Sequence, residues 1–346
     1  MLKFLLLTVV AMIGLSSLAP AKARAWDPEA DRLVADLAYA RLTPPVRARV
    51  DQIIAQAGPI GDSGCRLRAL ADASRLADCL HGRRGDFMKG IRYDAIPICG
   101  DKADTRSCPN GLCASLTLRQ AIASLKAANA DPNATPAGRA VLLATVAYLM
   151  AETHQPLHAA DNGDTTATRV RVSLPGAPNG KLNLYGVWDE DFVAGAVGSE
   201  ETGLPYLKPL AEVRGAEWSQ GDLDSWLTDT HQVAVNDVYK RLPDAAPCGH
   251  APSKPEMLDR GYVDMATQAV RLQLAKAGVR LAVVLNAALA LPTPVVADEA
   301  PSATPAPWAK PDAGAENDLP TPPPPAQPVQ EVVPTTSTPV ASAPPG

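Results

Sequence analysis

The segment from Ala137 to Glu152 carries apolar side chains on nearly every side: Ala140, Val141, Leu142, Leu143, Val146, Leu149 and Met150. A helix that is apolar all round needs apolar neighbours all round, so the rest of the chain must supply several helices to enclose it. Candidates recur along the sequence. Leu33, Leu37, Ala40 and Leu42 follow helical spacing, and Thr43-Pro44-Pro45 opens a second helix with Val46, Val50, Ile53 and Ile54 on one face. Leu116 to Ala128 reads as another, and two long helices are expected over about 218–241 and 254–290. Only the stretch Thr168 to Val172 alternates as a strand does. It can pair with Lys181 to Tyr185 across the turn-rich run Pro175 to Gly180. The expected class is mainly α: a single helical domain with a small β-hairpin.

Both ends of the chain fall outside that domain. Lys3, the apolar run Phe4 to Leu15 and the small-x-small triplet Ala23-Arg24-Ala25 form an export leader over 1–25. Its apolar run is too short for a stop-transfer helix, so no transmembrane anchor is expected once it is cleaved. Export to the periplasm or the extracellular space follows, with Trp26 as the new N-terminus. From Pro292 onward the chain holds 16 of its 34 prolines among Ala, Thr, Ser and Val. Such a composition buries too little apolar surface to offset its ordering entropy. Residues 291–346 are therefore expected to form a disordered tail, a spacer or a ligand for a protein partner. The domain itself spans 26–290.

Charge narrows the function classes. The formal net charge is −5, and losing Lys3, Lys22 and Arg24 with the leader makes it −8. An acidic chain exerts no general pull on nucleic acid, so a polyanionic substrate would need a local cationic site. Six cysteines, Cys65, Cys79, Cys99, Cys108, Cys113 and Cys248, read as three disulfides in an exported chain. Cys108-Pro-Asn-Gly-Leu-Cys113 reads as a small disulfide-closed turn; no cysteine pair has zinc-ribbon spacing.

Several segments in order resemble the S1/P1 nuclease family, zinc-dependent single-strand nucleases of the phospholipase C type. They are Trp26, Arg32-Leu-Val-Ala-Asp-Leu-Ala38, the Cys108–Cys113 turn, His154-Gln-Pro-Leu-His158, Asp161-Asn-Gly-Asp164, Val187-Trp-Asp189 and Gln273 to Ala282. The resemblance implies three zinc ions that polarise a phosphodiester and activate a water, held by five histidines, several aspartates and the terminal Trp. It further implies the pairs Cys108–Cys113 and Cys99–Cys248, which leaves Cys65–Cys79, and it makes single-stranded nucleic acid or a nucleotide the expected partner.

Carried over residue by residue, the ligand set is depleted. Trp26 is kept, but Asp31 stands where a His is expected. The early metal-binding Asp falls on Asp72, with Asp78 as runner-up. Arg92 and Tyr148 replace two further histidines, Glu152 replaces an Asp, and Tyr185 replaces a fourth His. His158 and Asp189 are retained. The first site is thus expected to have lost its metal to Arg92, bridging the early Asp and Glu152 with the Tyr148 hydroxyl beside them. The third, at Trp26, Asp31 and Glu152, suits Mg²⁺, Mn²⁺ or Ca²⁺ better than zinc. The second, with His158, Asp189 and Tyr185, makes a weak zinc site. His81 is a minor candidate ligand, and His154 a structural residue. Zinc is implied by resemblance, with at most one or two ions here and as few as none. The turn after Asp164, where the resemblance places two glycines and an amide, reads Thr165-Thr-Ala-Thr168. The expected function is an exported, inactive or weakly active nuclease relative, a pseudoenzyme with no assignable catalytic residue. The alternatives are a phosphodiesterase with a reduced one- or two-metal site, and an envelope-associated binding or structural protein.

Overall fold

In the computed structural model the described residues are 26, 28–60, 65–80, 90–99, 108, 112–198, 200–244 and 248–290. The leader, the tail from 291, His81 and the Asp78 side chain lie outside them. The described residues belong to one compact unit that ends at Thr293.

Eight helices carry the fold among the described residues: α1 (Pro28–Ala40), α2 (Pro44–Gln56), α3 (Ala114–Ala130), α4 (Pro136–Glu152), α5 (Phe192–Val197), α6 (Glu200–Trp218), α7 (Leu223–Val233) and α8 (Arg260–Ala288). Helix α4 is the axis of the bundle. It starts at Thr135, whose Oγ1 accepts the Gly138 N–H at 3.1 Å, and Pro136 opens its first turn, where an N–H has no helical partner to lose. It packs on α1, α2, α3 and α8. Val141 and Leu142 are only half-buried, whereas every residue from Val146 to Glu152 is buried. The enclosed half is therefore the C-terminal one, and it carries Tyr148 and Glu152.

Helix α8 spans 29 residues, about 43 Å at 1.5 Å per residue, and lies against α1, α5 and α6. The crossing with α1 is close: a methyl group on Gly278 would sit 2.7 Å from Leu37 Cδ2. On α1 the buried face is Ala30, Leu33, Val34, Leu37 and Ala38, while Ala40 is exposed, so Ala40 does not belong to the apolar stripe.

The hairpin is shifted from its expected bounds. Strands β3 (Arg171–Leu174) and β4 (Ala177–Asn183) pair antiparallel with Val172 opposite Leu182. Residues 165–168 form a turn instead of the strand's start, and Tyr185 lies in a helical turn, Leu184–Gly186. Strand β5 (Glu256–Met257) adds to β3 in parallel, and the short pair β1 (Pro59–Ile60) and β2 (Cys65–Arg66) stands apart. The disulfides are Cys65–Cys79, Cys99–Cys248 and Cys108–Cys113. No helix among the described residues is long and apolar enough to cross a membrane.

Candidate functional site

The C-terminal turn of α4 presents Tyr148 and Glu152, four residues apart and so on one face, with exposures of 1% and 0%. The chain then reverses through a 3₁₀ turn at Pro156–His158. Gln155 builds that turn, because its side-chain carbonyl accepts the N–H groups of Leu157 and His158. The reversal returns His158 to the helix it has just left, with Nδ1 2.8 Å from Glu152 Oε2. The approach is oblique to the ring's N–H direction, so the contact is chiefly electrostatic. The 92–97 segment docks on this turn, since the His158 carbonyl accepts from Asp94 N at 2.8 Å and Ala95 N at 3.1 Å.

Docking assembles a chain of polar contacts. Arg92 Nη2 donates to Tyr93 Oη at 2.6 Å, Tyr93 Oη donates to Tyr185 Oη at 3.2 Å, and Tyr185 Oη lies 2.9 Å from His158 Nε2. One proton arrangement satisfies every link. Tyr185 donates to an unprotonated Nε2, which puts the imidazole proton on Nδ1, facing Glu152. The other tautomer would set the Nδ1 lone pair against a carboxylate. The rings pack to match: His158 stacks on Tyr185 at 5.7 Å and meets Tyr93 edge-on at 4.7 Å.

Charges in this buried space balance in part. Burial works against the Arg92 guanidinium, but Tyr185, Tyr93, Glu152 and Tyr148 more than offset it and raise its pKa. Burial pushes the His158 imidazole down, against the opposing pull of Glu152, so the ring is neutral near pH 7. Tyr148 is held well above the usual phenol range by burial, then by Glu152 and Asp31, which places its hydroxyl within the field of both carboxylates. Asp189, on the π-type turn Val187–Asp191, is 1% exposed. Its Oδ1 accepts from Gln155 Nε2 at 3.3 Å, and its Oδ2 has no hydrogen-bond partner among the described residues. Burial and the Glu152 charge hold its carboxyl well above the ordinary range, with Arg92 and Gln155 opposing.

Three more candidate ligands are Trp26, Asp31 and Asp72. Asp31 on α1 is buried, as is Trp26. Asp72 lies in the 3₁₀ turn Leu70–Arg75, where Oδ2 accepts from Arg68 N at 2.7 Å and Ala69 N at 3.3 Å. Its other oxygen sits 3.6 Å from Arg32 Nη1. None of those Asp72 contacts reaches Arg92. Tyr93 and Gln155 escaped the reading of the sequence as site residues. Tyr93 adjoins Arg92 and Gln155 sits inside His154-Gln-Pro-Leu-His158, so position alone could have flagged them. His154 is structural: Nδ1 donates to Met150 O at 2.8 Å, Nε2 accepts from Arg280 Nη1 at 3.0 Å, and burial aided by Arg280 lowers its pKa to about 3.

The donor set does not fit zinc. Among the described residues no three His, Cys, Asp or Glu side chains are grouped to hold a metal ion. The retained imidazole has its Nε2 lone pair occupied by Tyr185 and its Nδ1 proton facing Glu152. What remains is carboxylate and phenol oxygen beside a buried guanidinium, whereas zinc favours imidazole or thiolate donors.

Outside this core lies a cleft of about 1070 Å³, with Tyr93, Tyr185 and Asp189 in its wall. Thr165, Thr166 and Thr168 line one side. Thr165, Thr166 and Ala167 adopt φ of 61°, 51° and 65°, the left-handed region that favours glycine and that β-branched residues enter at a cost. Backbone N–H groups secure the turn: Thr166 N donates to Asp161 Oδ1 and Ala167 N to Asp164 Oδ1, each at 2.7 Å.

No curated protein matches the chain in a sequence comparison. The profile described as S1/P1 Nuclease does match, over residues 26–290, the whole helical unit from Trp26 through α8. The chain belongs to the S1/P1 nuclease family.

Proposed function

We propose that this chain is a non-catalytic or nearly inactive member of its family, exported from the cytoplasm, in which a hydrogen-bonded core stands where the metal cluster is expected. The observation that carries the reading is the engagement of both His158 nitrogens, by Tyr185 and towards Glu152, with Arg92 as the resident cation. Family membership makes nuclease-type hydrolysis the ancestral activity. The replacements at Asp31, Arg92, Tyr148 and Tyr185 remove the donors that chemistry needs, and Trp26, Asp72 or Asp78, Glu152, His158 and Asp189 remain as vestiges of the ligand set. Three disulfides support export. In this reading residues 1–25 are removed, 26–290 fold, and 291–346 serve as a spacer or protein-binding tail.

The test is metal analysis of untagged protein beginning at Trp26, together with hydrolysis of single-stranded DNA and RNA in Zn²⁺, Mn²⁺ and Ca²⁺. The expected result is less than stoichiometric zinc and no turnover above a metal blank. Robust hydrolysis abolished by Asp189→Ala or Glu152→Ala would overturn the reading in favour of a reduced metal site.

A further inference from the structure

The side of the cleft that carries Thr165, Thr166 and Thr168 is a strained turn held by two carboxyl groups. Thr165, Thr166 and Ala167 have φ of 61°, 51° and 65°, each at a cost that the surrounding contacts must offset. Asp161 Oδ1 accepts from Thr166 N and Asp164 Oδ1 from Ala167 N, both at 2.7 Å. Asp161 is half-buried and lines the cleft, whereas Asp164 is 0% exposed. Tyr239 Oη donates to Asp164 Oδ1 at 3.1 Å, and Oδ2 has no hydrogen-bond donor among the described residues. The Asp161 carboxyl lies within side-chain hydrogen-bond reach of Asp164. Two carboxyl groups bond to each other only through a proton, because the ionised form is an acceptor alone.

We propose that Asp161 and Asp164 share one proton, and that this proton latches the cleft wall, holding the Thr165–Thr168 turn while bound and loosening it on release. With the proton in place the pair carries a single negative charge. Its loss sets two like charges together in a buried site, where each disfavours the other. The surrounding groups supply no compensating cation. Tyr239 is held well above the usual phenol range by burial, then by Asp164, with Asp161 and Tyr262 adding to it, so it stays a neutral donor. Arg169 is exposed and meets Asp164 through its backbone N–H, 3.1 Å from the carbonyl oxygen. The other charged residues lining the cleft are Lys181, exposed on β4, and Asp189, Glu190 and Asp191. Burial raises the Asp164 pKa and Asp161 adds to it, against the bonds from Ala167 and Tyr239. Because the closed turn binds the proton more tightly than an open one, the latch is complete below about pH 4, the ordinary Asp value, and weakens as pH rises through the raised value. The latch involves neither Arg92 nor His158, so it stands apart from the reading of the metal site.

The experiment is hydrogen exchange read by mass spectrometry on the mature full-length protein from about pH 4 to pH 8, comparing the segment 164–170 with helix α4 as a control for global opening. After correction for the intrinsic pH dependence of exchange, protection of the turn relative to α4 should fall with rising pH. The steepest fall is about tenfold per pH unit, as expected for one proton released on opening. Asp164→Asn sets an amide donor where the shared proton lies and keeps Oδ1 for Ala167 N, so the profile should become flat at the low-pH level. Asp161→Asn supplies the same donor from the half-buried, cleft-lining partner and should flatten the profile too, which keeps the test available if the buried substitution prevents folding. Wild-type protection that does not fall with pH, or a fall that survives in either Asn variant, overturns the proposal.

Discussion

Removing the Arg92 charge tests the core directly. Arg92 is 3% exposed and Glu152 0%, so Arg92→Met leaves a buried carboxylate without its cation while roughly keeping the side-chain volume. Arg92 and Glu152 are coupled through their charges, and leaving a buried charge uncompensated costs about 3–5 kcal/mol. The Tyr93 hydroxyl also loses the donor at 2.6 Å, about 1 kcal/mol more. The expected loss is therefore about 4–6 kcal/mol, read by urea unfolding monitored by circular dichroism. Glu152→Gln alone leaves the buried Arg92 charge without that carboxylate and should cost about 3–5 kcal/mol on the same reasoning. The double variant should recover much of the combined loss, giving a coupling energy of about 2 kcal/mol or more. A single-variant loss under about 1 kcal/mol, or strictly additive effects, would refute the claim that Arg92 stands in as the counter-cation of this site.

Three further outcomes are expected. Tyr185→Phe strips the donor from His158 Nε2 and the acceptor from Tyr93, and should cost about 1–3 kcal/mol in chemical denaturation; no change would break the proposed proton order. Asp94 is buried with Ser115 as its partner, and burial raises its pKa from 3.8 to about 6. Because the folded value is the higher one, its contribution is full below pH 4 and lost as pH rises through about 6, roughly 3 kcal/mol in all. Asp94→Asn should flatten that part of the stability–pH curve, and an unchanged profile would count against the raised value. Gly163 has φ +71°, and a Cβ there would lie 2.5 Å from the Gly249 carbonyl oxygen. Gly163→Ala should therefore cost at least about 2 kcal/mol in thermal unfolding and loosen the contact between Asn162 and the 249–250 segment.

The helical core was legible because its signals are local. Thr135-Pro136 starts α4 and its apolar surround demands enclosure; Val46, Val50, Ile53 and Ile54 trace the buried stripe of α2. Helix α6 was not read, since Pro205 and Pro209 lie inside it and its apolar residues share no single face. Strand β5 was missed because its pairing partner β3 is some 80 residues away in sequence, and two residues carry no alternation to detect. Thr168 was placed at the start of the hairpin, since threonine has strand propensity, but it lies in the turn whose N–H groups at Thr166 and Ala167 are held by Asp161 and Asp164, and the strand starts at Arg171.

For the site, residue identity alone tells which types stand at the expected ligand positions, and so that most imidazoles are absent. It also placed Tyr148 and Glu152 one helical turn apart, because that spacing is a local property of α4. What those replacements do together depends on contacts made in three dimensions. Arg92 and Tyr93, His158 and Tyr185 come from segments far apart in the chain, and they meet because the Gln155 turn folds His158 back onto α4 and binds the 92–97 segment through the His158 carbonyl. Hydrogen bonding depends on position to a few tenths of an ångström and on direction. Whether a retained histidine still offers a lone pair is therefore settled by its neighbours in space, which a linear spacing cannot encode.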